Sequence, residues 1–188
     1  MKHFQQFIET FCRISAQERE DLEALFEPVT IKKMDHVFTA GDSIRDLIYF
    51  DEGICRVYLI KDGEEFTTKF LTGPSIYAEL FSIRNNTPTL INIQSINVTC
   101  YYRASFAKVE KMMQDSANLR KLFLKLYEHI YILGTKRQIS FIKDSQTERY
   151  FKLLTEQPEL LQTVPLQFIA SFLGMKPETL SRIRKKMK

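Results

Sequence analysis

The stretch that decides the fold of this chain runs from Pro165 to Lys188 and reads PLQFIASFLGMKPETLSRIRKKMK. A helix-turn-helix needs a small residue inside its first helix and a glycine at its tight turn, and Ala170 and Gly174 meet these demands four residues apart. Pro177 falls where a helix can begin without losing a backbone donor. The sequence therefore predicts a helix over residues 166–173, a turn, and a second helix over residues 177–186.

The second predicted helix has two faces. Leu180, Ile183 and Met187 follow helical spacing and are expected to point inward. On the outward face, Arg182 is expected to read a guanine edge, while Glu178 either accepts a hydrogen bond from cytosine or braces Arg182 four residues away. The lysines around this face are expected to contact phosphates, which positions a protein on DNA without specifying sequence. The predicted DNA-contacting residues are Lys176, Glu178, Thr179, Ser181, Arg182, Lys185 and Lys186, with Arg184 and Lys188 as further phosphate contacts.

Positive charge is concentrated at this end of the sequence. Segment 176–188 holds six Lys or Arg and one acid, whereas the whole chain has a net charge of +4, so the remaining 175 residues are close to −1. A basic helix that only aids solubility is the alternative interpretation. Because the helical spacing, the turn glycine and the outward polar face coincide, the sequence favours DNA binding.

Length and composition are those of a small globular protein. The chain has 188 residues, of which 44% are hydrophobic and 27% charged, so one or two domains with a buried core are expected. No apolar run is long enough to span a bilayer, and the first residues lack the apolar region of a signal peptide. The three cysteines, Cys12, Cys55 and Cys100, are far apart, as expected for reduced, buried thiols. We therefore expect a cytoplasmic protein.

The periodicity of the sequence changes twice before the basic segment. Residues 4–27 predict two short amphipathic helices, the second opened by a capping box of Ser15 and Glu18. From Val29 to Tyr102, short apolar runs alternate with Gly, Asp and Asn turns, which is typical of an antiparallel β-roll or jelly roll. The predicted fold class is thus α+β: a β-roll domain over residues 1–110, a long helix over 111–143 and a helix-turn-helix domain over 144–188.

The long helix carries a heptad seam of apolar residues. The seam alternates spacings of four and three residues, and Arg137 occupies the next position and ends it. A lone helix with such a seam needs a partner, so a parallel homodimer is predicted. The alternative is that the stripe packs on the β-roll of its own chain. The seam residues are Leu119, Phe123, Leu126, Ile130 and Leu133.

The order of these parts resembles the Crp/Fnr family of bacterial transcription regulators. The segment Glu178-Thr-Leu-Ser-Arg182 is similar to the recognition-helix pattern of that family, and Gly41, Gly53 and Gly73 are similar to its β-roll turn glycines. The resemblance implies a homodimer that binds two-fold symmetric double-stranded DNA and contacts RNA polymerase. The β-hairpin wing that often follows the recognition helix is not expected here, which predicts weaker binding.

The sensor segment departs from the pattern of the family members that bind cyclic nucleotides. Glu79 and Leu80 match the phosphate cassette, but Ala78 replaces its glycine and Thr89 stands where an arginine would pair the cyclic phosphate. Without that counter-charge a desolvated phosphate is poorly held, so cyclic AMP is not expected to be the effector. Arg84 and Arg103 are the cations that could substitute, although their spacing does not indicate it. The candidate effector pocket is Tyr77, Ala78, Glu79, Leu80, Thr89 and Leu90.

No cofactor or metal is expected from the remaining motifs. Three scattered cysteines cannot supply the ligands of an iron–sulfur cluster, and no paired His/Cys spacing indicates zinc. Haem ligation by His3, His36 or His129 is the alternative that the residues leave open, although a lone histidine is more often a surface or structural residue. The sequence has no phosphate loop, nucleophile elbow or His-Glu-x-x-His motif, so it is not expected to be an enzyme. The alternative function is a β-roll that binds a ligand or a protein and has weak or lost DNA binding.

Overall fold

The structure, a computed structural model, describes residues 1–186, which form eight strands and nine helices. The strands are β1 (Glu27–Ile31), β2 (His36–Phe38), β3 (Asp46–Glu52), β4 (Ile54–Lys61), β5 (Glu64–Thr72), β6 (Ser75–Ala78), β7 (Asn92–Ser95) and β8 (Thr99–Ser105). The helices are α1 (Phe4–Glu9), α2 (Ala16–Glu23), α3 (Leu80–Asn85), α4 (Phe106–Asp115), α5 (Ala117–Lys143), α6 (Gln146–Glu156), α7 (Pro158–Thr163), α8 (Leu166–Phe172) and α9 (Pro177–Lys186). None of the helices in this part of the chain is long and apolar enough to cross a membrane.

The strands form two four-stranded sheets, which confirms the predicted α+β fold with antiparallel strands. The strand orders are β1-β8-β3-β6 and β2-β7-β4-β5. Gly53 turns the chain between β3 and β4 with φ of +103°, a value that a residue with a Cβ rarely adopts. Strand β3 is paired on both sides, and it is buried over most of its length because its alternating residues enter two core clusters: Leu47 and Tyr49 in one, Ile48 and Phe50 in the other.

Two of the helices begin at capping boxes. Ser15 caps α2 through the predicted capping box, in which its hydroxyl accepts from the Glu18 amide and Glu18 accepts from the Ser15 amide. Ser145 and Glu148 form a second box at the start of α6. The stretch after Ser105 is helical as predicted, but it breaks at Ser116 into α4 and α5.

The predicted heptad seam is wrong as a dimer interface for its first three residues. Leu119, Phe123 and Leu126 are only 1–3% exposed, and they pack with Phe4 and Tyr49 in the core of their own chain. Ile130 is half-buried and Leu133 is exposed, so the apolar packing ends there. Heptad spacing reports an apolar face and not its partner; here the β-roll and the N-terminal helices provide the partner. For these three residues the packing agrees with the alternative interpretation, a stripe that packs within its own chain, and for Ile130 and Leu133 the seam stays a prediction.

The chain forms two compact units. One comprises Met1–Val57 and Phe70–Ile130, and the other comprises Tyr58–Lys69 together with residues from Tyr131 onward. The tip of the β4–β5 hairpin thus belongs to the same unit as the helix-turn-helix segment. The functional division at residues 110 and 143 is not tested by this packing and stays a prediction.

Asp51 anchors the N-terminus of the chain. Its buried carboxylate accepts the backbone N–H groups of Lys2 (2.8 Å) and His3 (2.9 Å) and the hydroxyl of Tyr49 (3.0 Å). Burial by itself raises the pKa of this carboxyl, but the hydrogen bonds outweigh it and leave the pKa below the ordinary aspartate value. The carboxylate therefore provides hydrogen-bond acceptors for the two backbone N–H groups that precede α1.

We expect Asp51→Asn to lower the free energy of unfolding by about 1–3 kcal/mol at neutral pH, because an amide leaves a buried donor unpaired. Since the folded state has the lower pKa, the contribution of Asp51 is present above the ordinary aspartate pKa of about 4 and is lost as the pH falls through the folded value. Urea denaturation at neutral and acidic pH should show the difference between wild type and variant shrinking in acid. Glu20→Gln, on the exposed side of α2, is the control and should show no such difference.

Candidate nucleic-acid interface

The turn between α8 and α9 has the backbone geometry that the Gly174 prediction requires. Gly174 adopts φ of +66°. The Met175 amide donates to the Ala170 carbonyl at 3.0 Å, and the Gly174 amide donates to the Ser171 carbonyl at 3.1 Å. This pair of bonds is a Schellman motif, which ends a helix and turns the chain sharply. The two helices are thereby joined as a helix-turn-helix.

The inward faces of α8 and α9 pack together as predicted. Ala170 and Leu180 are fully buried, and Ile169 and Leu173 are nearly so. Ile183 is half-buried on the same side of α9. Met187 was predicted to point inward and Lys188 to contact phosphate, and both lie outside the described residues.

The outward face of α9 is exposed and positively charged. Glu178, Ser181, Arg182 and Lys185 are exposed together, as their spacing predicted, whereas Thr179 is half-buried. We call the exposed basic residues of this segment the cationic face: Lys176, Arg182, Arg184, Lys185 and Lys186. Their contact with DNA stays a prediction.

Arg182 is not braced by Glu178. Its Nη2 donates a long hydrogen bond of 3.4 Å to the Thr179 hydroxyl. In the described part of the chain it forms no ion pair with Glu178 or with any other carboxylate. Of the two roles predicted for Glu178, bracing Arg182 is therefore not seen, and the guanidinium keeps most of its donors for another acceptor.

A contact that the sequence did not reveal holds α8 against the β4–β5 hairpin. The Ser171 hydroxyl donates to the Glu65 carbonyl at 3.0 Å and accepts from the Thr67 amide at 2.9 Å. β5 is an edge strand, and edge strands present alternating N–H and C=O groups outward. Ser171 satisfies two of these groups as a neighbouring strand would. A lone serine 104 residues from its partner leaves no periodic signal in a sequence.

The candidate effector pocket is occupied by contacts of the fold itself. Tyr77 donates its hydroxyl to Glu79 at 2.7 Å, and burial together with this bond raises the pKa of Tyr77 above its ordinary value. Thr89 is buried; its hydroxyl accepts from the Ile91 amide, and its backbone bonds to the turn at Gly41 and Asp42. Ala78 lies on β6 opposite Leu47, while Leu80 and Leu90 are exposed. The structure thus brings Tyr77 and Glu79 together, whereas the polar groups of Thr89 bond to Ile91 and to the turn at Gly41 and Asp42.

The described residues hold no group of three His, Cys, Asp or Glu side chains that could bind a metal ion. Cys55 is buried, and burial raises the pKa of its thiol to about 12, which leaves it unreactive at neutral pH. His129 stacks edge-on against Phe11 at 5.3 Å between ring centres, so its ring has a structural contact.

The fold is similar to that of several solved bacterial regulators, although no family model matches the sequence and no curated protein matches it significantly. FixK2 from Bradyrhizobium japonicum is 16% identical, with a TM-score of 0.72 over 86% of this chain and 84% of that one. The c-di-GMP responsive global regulator CLP from Xanthomonas campestris is 18% identical, with a TM-score of 0.71 over 92% and 91% of the two chains. A CooA mutant from Carboxydothermus hydrogenoformans is 16% identical, with a TM-score of 0.70 over 88% and 78%.

These similarities define the class of fold. The chain has the Crp/Fnr-type fold that its sequence resemblance predicted, with a cyclic-nucleotide-binding-like β-roll and a helix-turn-helix.

Gly174→Ala should lower the free energy of unfolding by at least about 1 kcal/mol, because a side chain at positive φ is strained. Its Cβ would also lie 2.6 Å from Cε1 of Phe141, which must move. Gly134→Ala is the matched control: Gly134 lies inside α5 with no atom near a new Cβ, so alanine should stabilise the protein by about 0.5–1 kcal/mol. Thermal unfolding of both variants checks this, and equal effects would contradict it.

Proposed function

We propose that this chain is a DNA-binding transcription regulator of the Crp/Fnr family, which acts in the cytoplasm as a homodimer on a two-fold symmetric site. The observation that carries the proposal is the cationic face of α9, presented by a helix whose other side is buried in a helix-turn-helix. In such units the second helix enters the major groove. Arg182 has the free donors to bind guanine O6 and N7 in a bidentate manner.

The charge on this face supports binding to phosphates. Among the described residues, none of its five basic side chains forms an ion pair, so their charges are available to an external anion. Each phosphate neutralised on duplex DNA adds about 0.9 to the slope of log affinity against log salt. The lysines therefore provide affinity, and Arg182 provides discrimination between bases.

Arg182→Ala should weaken binding to the preferred DNA site by about 1–3 kcal/mol and relax specificity at one base pair, because one bidentate contact is lost. Lys186→Ala should instead weaken binding to all sequences alike and reduce the salt slope by about 1. Gel-shift titrations against the DNA upstream of the protein's own gene, repeated over a range of salt concentrations, measure both effects.

The control is Lys33→Ala, which removes one exposed positive charge from the other compact unit and should leave affinity unchanged. A wild-type protein that forms no sequence-preferring complex would refute the proposal and favour the alternative of a β-roll interaction module. Repeating the titration with saturating cyclic AMP should give the same affinity.

Independence from cyclic AMP is part of the proposal and is supported by three contacts. Thr89, at the position of the expected phosphate-binding arginine, is buried with its polar groups in use. Of the two cations that could substitute, Arg84 pairs with Glu110 at 2.5 Å and Arg103 pairs with Glu27 at 3.7 Å. A cyclic phosphate that took Arg84 or Arg103 as its counter-charge would have to compete with these carboxylates, which lowers its net affinity.

The homodimer is supported by a second apolar face on α5, opposite the one that packs on the chain's own core. Tyr131 is 75% exposed and Ile142 is 88% exposed, and Ile132 and Ile139 between them are about half exposed. Leu124, seven residues before Tyr131, is exposed at the equivalent helical position. Exposed apolar residues that recur along one helix mark an interaction site, and a second copy of the same helix is the self-complementary partner.

Tyr131→Glu should convert the dimer to a monomer, because it places a charge in the middle of this face. Leu133→Glu is the matched control: Leu133 is 52% exposed, but two residues along a helix it lies about 200° away and faces the other side. Sedimentation velocity over a concentration series measures the oligomeric state. If Leu133→Glu dissociates the dimer and Tyr131→Glu does not, the proposed face is wrong.

A further inference from the structure

Two arginines from different helices converge on the end of α8. Arg137, on α5, donates from Nη2 to the Phe172 carbonyl at 2.8 Å, and Arg149, on α6, donates from Nε to the Leu173 carbonyl at 2.9 Å. The guanidinium of Arg137 lies 4.0 Å from the ring centre of Phe172, and both guanidiniums lie within 4.7 Å of the ring centre of Phe141. We call these two arginines with Phe141 and Phe172 the arginine clamp.

The arginine clamp completes the hydrogen bonding of the last turn of α8. The carbonyls of Ile169, Ala170 and Ser171 accept from the backbone amides of Leu173, Met175 and Gly174. The next two carbonyls, of Phe172 and Leu173, have no backbone partner in a Schellman motif and accept from the two arginines instead. Every carbonyl between the end of α8 and the turn is thus satisfied.

The electrostatics of the clamp are unusual because two like charges share one small region. Burial and the neighbouring Arg149 lower the pKa of Arg137 to about 10, which still leaves it charged at neutral pH. Within residues 1–186 neither arginine forms an ion pair with a carboxylate. Their counter-charge is the partial negative end of α8 together with the faces of the two aromatic rings. Arg149 also donates from Nη1 to the Asp144 carbonyl at 2.7 Å, so it connects the end of α8 to the junction between α5 and α6.

We propose that Arg137 and Arg149 are positioning residues for DNA recognition: by holding the end of α8, they fix the turn that sets the direction of α9 and its cationic face. Only Gly174, Met175 and Lys176 separate the clamped carbonyl of Leu173 from the first residue of α9. A shift of the helix end passes directly to the recognition helix through so short a connection. This inference rests on the proposed function, but its structural part is measurable without DNA.

The test uses the full-length chain with Arg149→Ala and Arg149→Lys, and with Arg120→Ala as the matched control. Arg120 also donates to the last carbonyls of a helix, those of Met113 and Gln114 at the end of α4, but it lies in the other compact unit. Two readouts are taken: the affinity and salt slope of the DNA complex, and the amide hydrogen exchange of Gly174 and Met175 in the free protein.

We expect Arg149→Ala to lower specific DNA affinity roughly tenfold or more, the effect of losing a charge-assisted hydrogen bond that orders the site. The salt slope should stay the same, whereas a direct phosphate contact would reduce it by about 0.9. Exchange of the Gly174 and Met175 amides should accelerate. Arg149→Lys should retain part of the affinity, since lysine keeps the charge but not the planar fork, and Arg120→Ala should behave as wild type in both readouts.

Two results would overturn the inference. A reduced salt slope in Arg149→Ala would make Arg149 a phosphate contact, and unchanged amide exchange at Gly174 and Met175 would mean that the clamp does not hold the turn. A wild-type protein that fails to bind DNA would refute the proposed function instead, and the exchange measurement would still decide whether the clamp orders the turn.

Discussion

The position of α9, the proposed recognition helix, depends on how the last turn of α8 satisfies its carbonyl groups. A helix of seven residues has few internal hydrogen bonds and gains little from propensity alone, so its ends must be held by other parts of the chain. Ser171 attaches α8 to the edge strand β5, and Arg137 and Arg149 attach its C-terminal carbonyls to α5 and α6. The direction of α9 is therefore determined by contacts that never touch its exposed face.

Helix α5 illustrates how one amphipathic pattern can serve two purposes. Its buried face, which includes Leu119 and Leu126, completes the core of its own chain, and farther along the same face Arg137 joins the arginine clamp. The opposite face carries Tyr131 and Ile142, which are 75% and 88% exposed within the described part of the chain. Internal packing thus uses one side of the helix, and the exposed apolar side is the one proposed for the homodimer.

The sequence predicted the features that have a local cause. The capping box at Ser15, the turn at Gly174 and the alternating strands each depend on a few neighbouring residues, so spacing alone revealed them. The prediction of a dimer seam was wrong for its first three residues because periodicity identifies an apolar face and not the element that covers it. Arg137 carried a signal that could have been read: a charged residue at an apolar seam position indicates a change of partner. Ser171 and Arg149 carried none, because side-chain bonds to distant backbone groups have no periodicity.

In the β-roll, the side chains considered as partners for a cyclic phosphate already have partners within the domain. Tyr77 and Glu79 satisfy each other, Thr89 fastens a turn, and Arg84 and Arg103 have carboxylate partners. Each of these five side chains is thus already part of a contact within the domain. An anion entering here must break such a contact and must also lose its own hydration, and both steps oppose binding. These contacts support the proposal that cyclic AMP is not the effector.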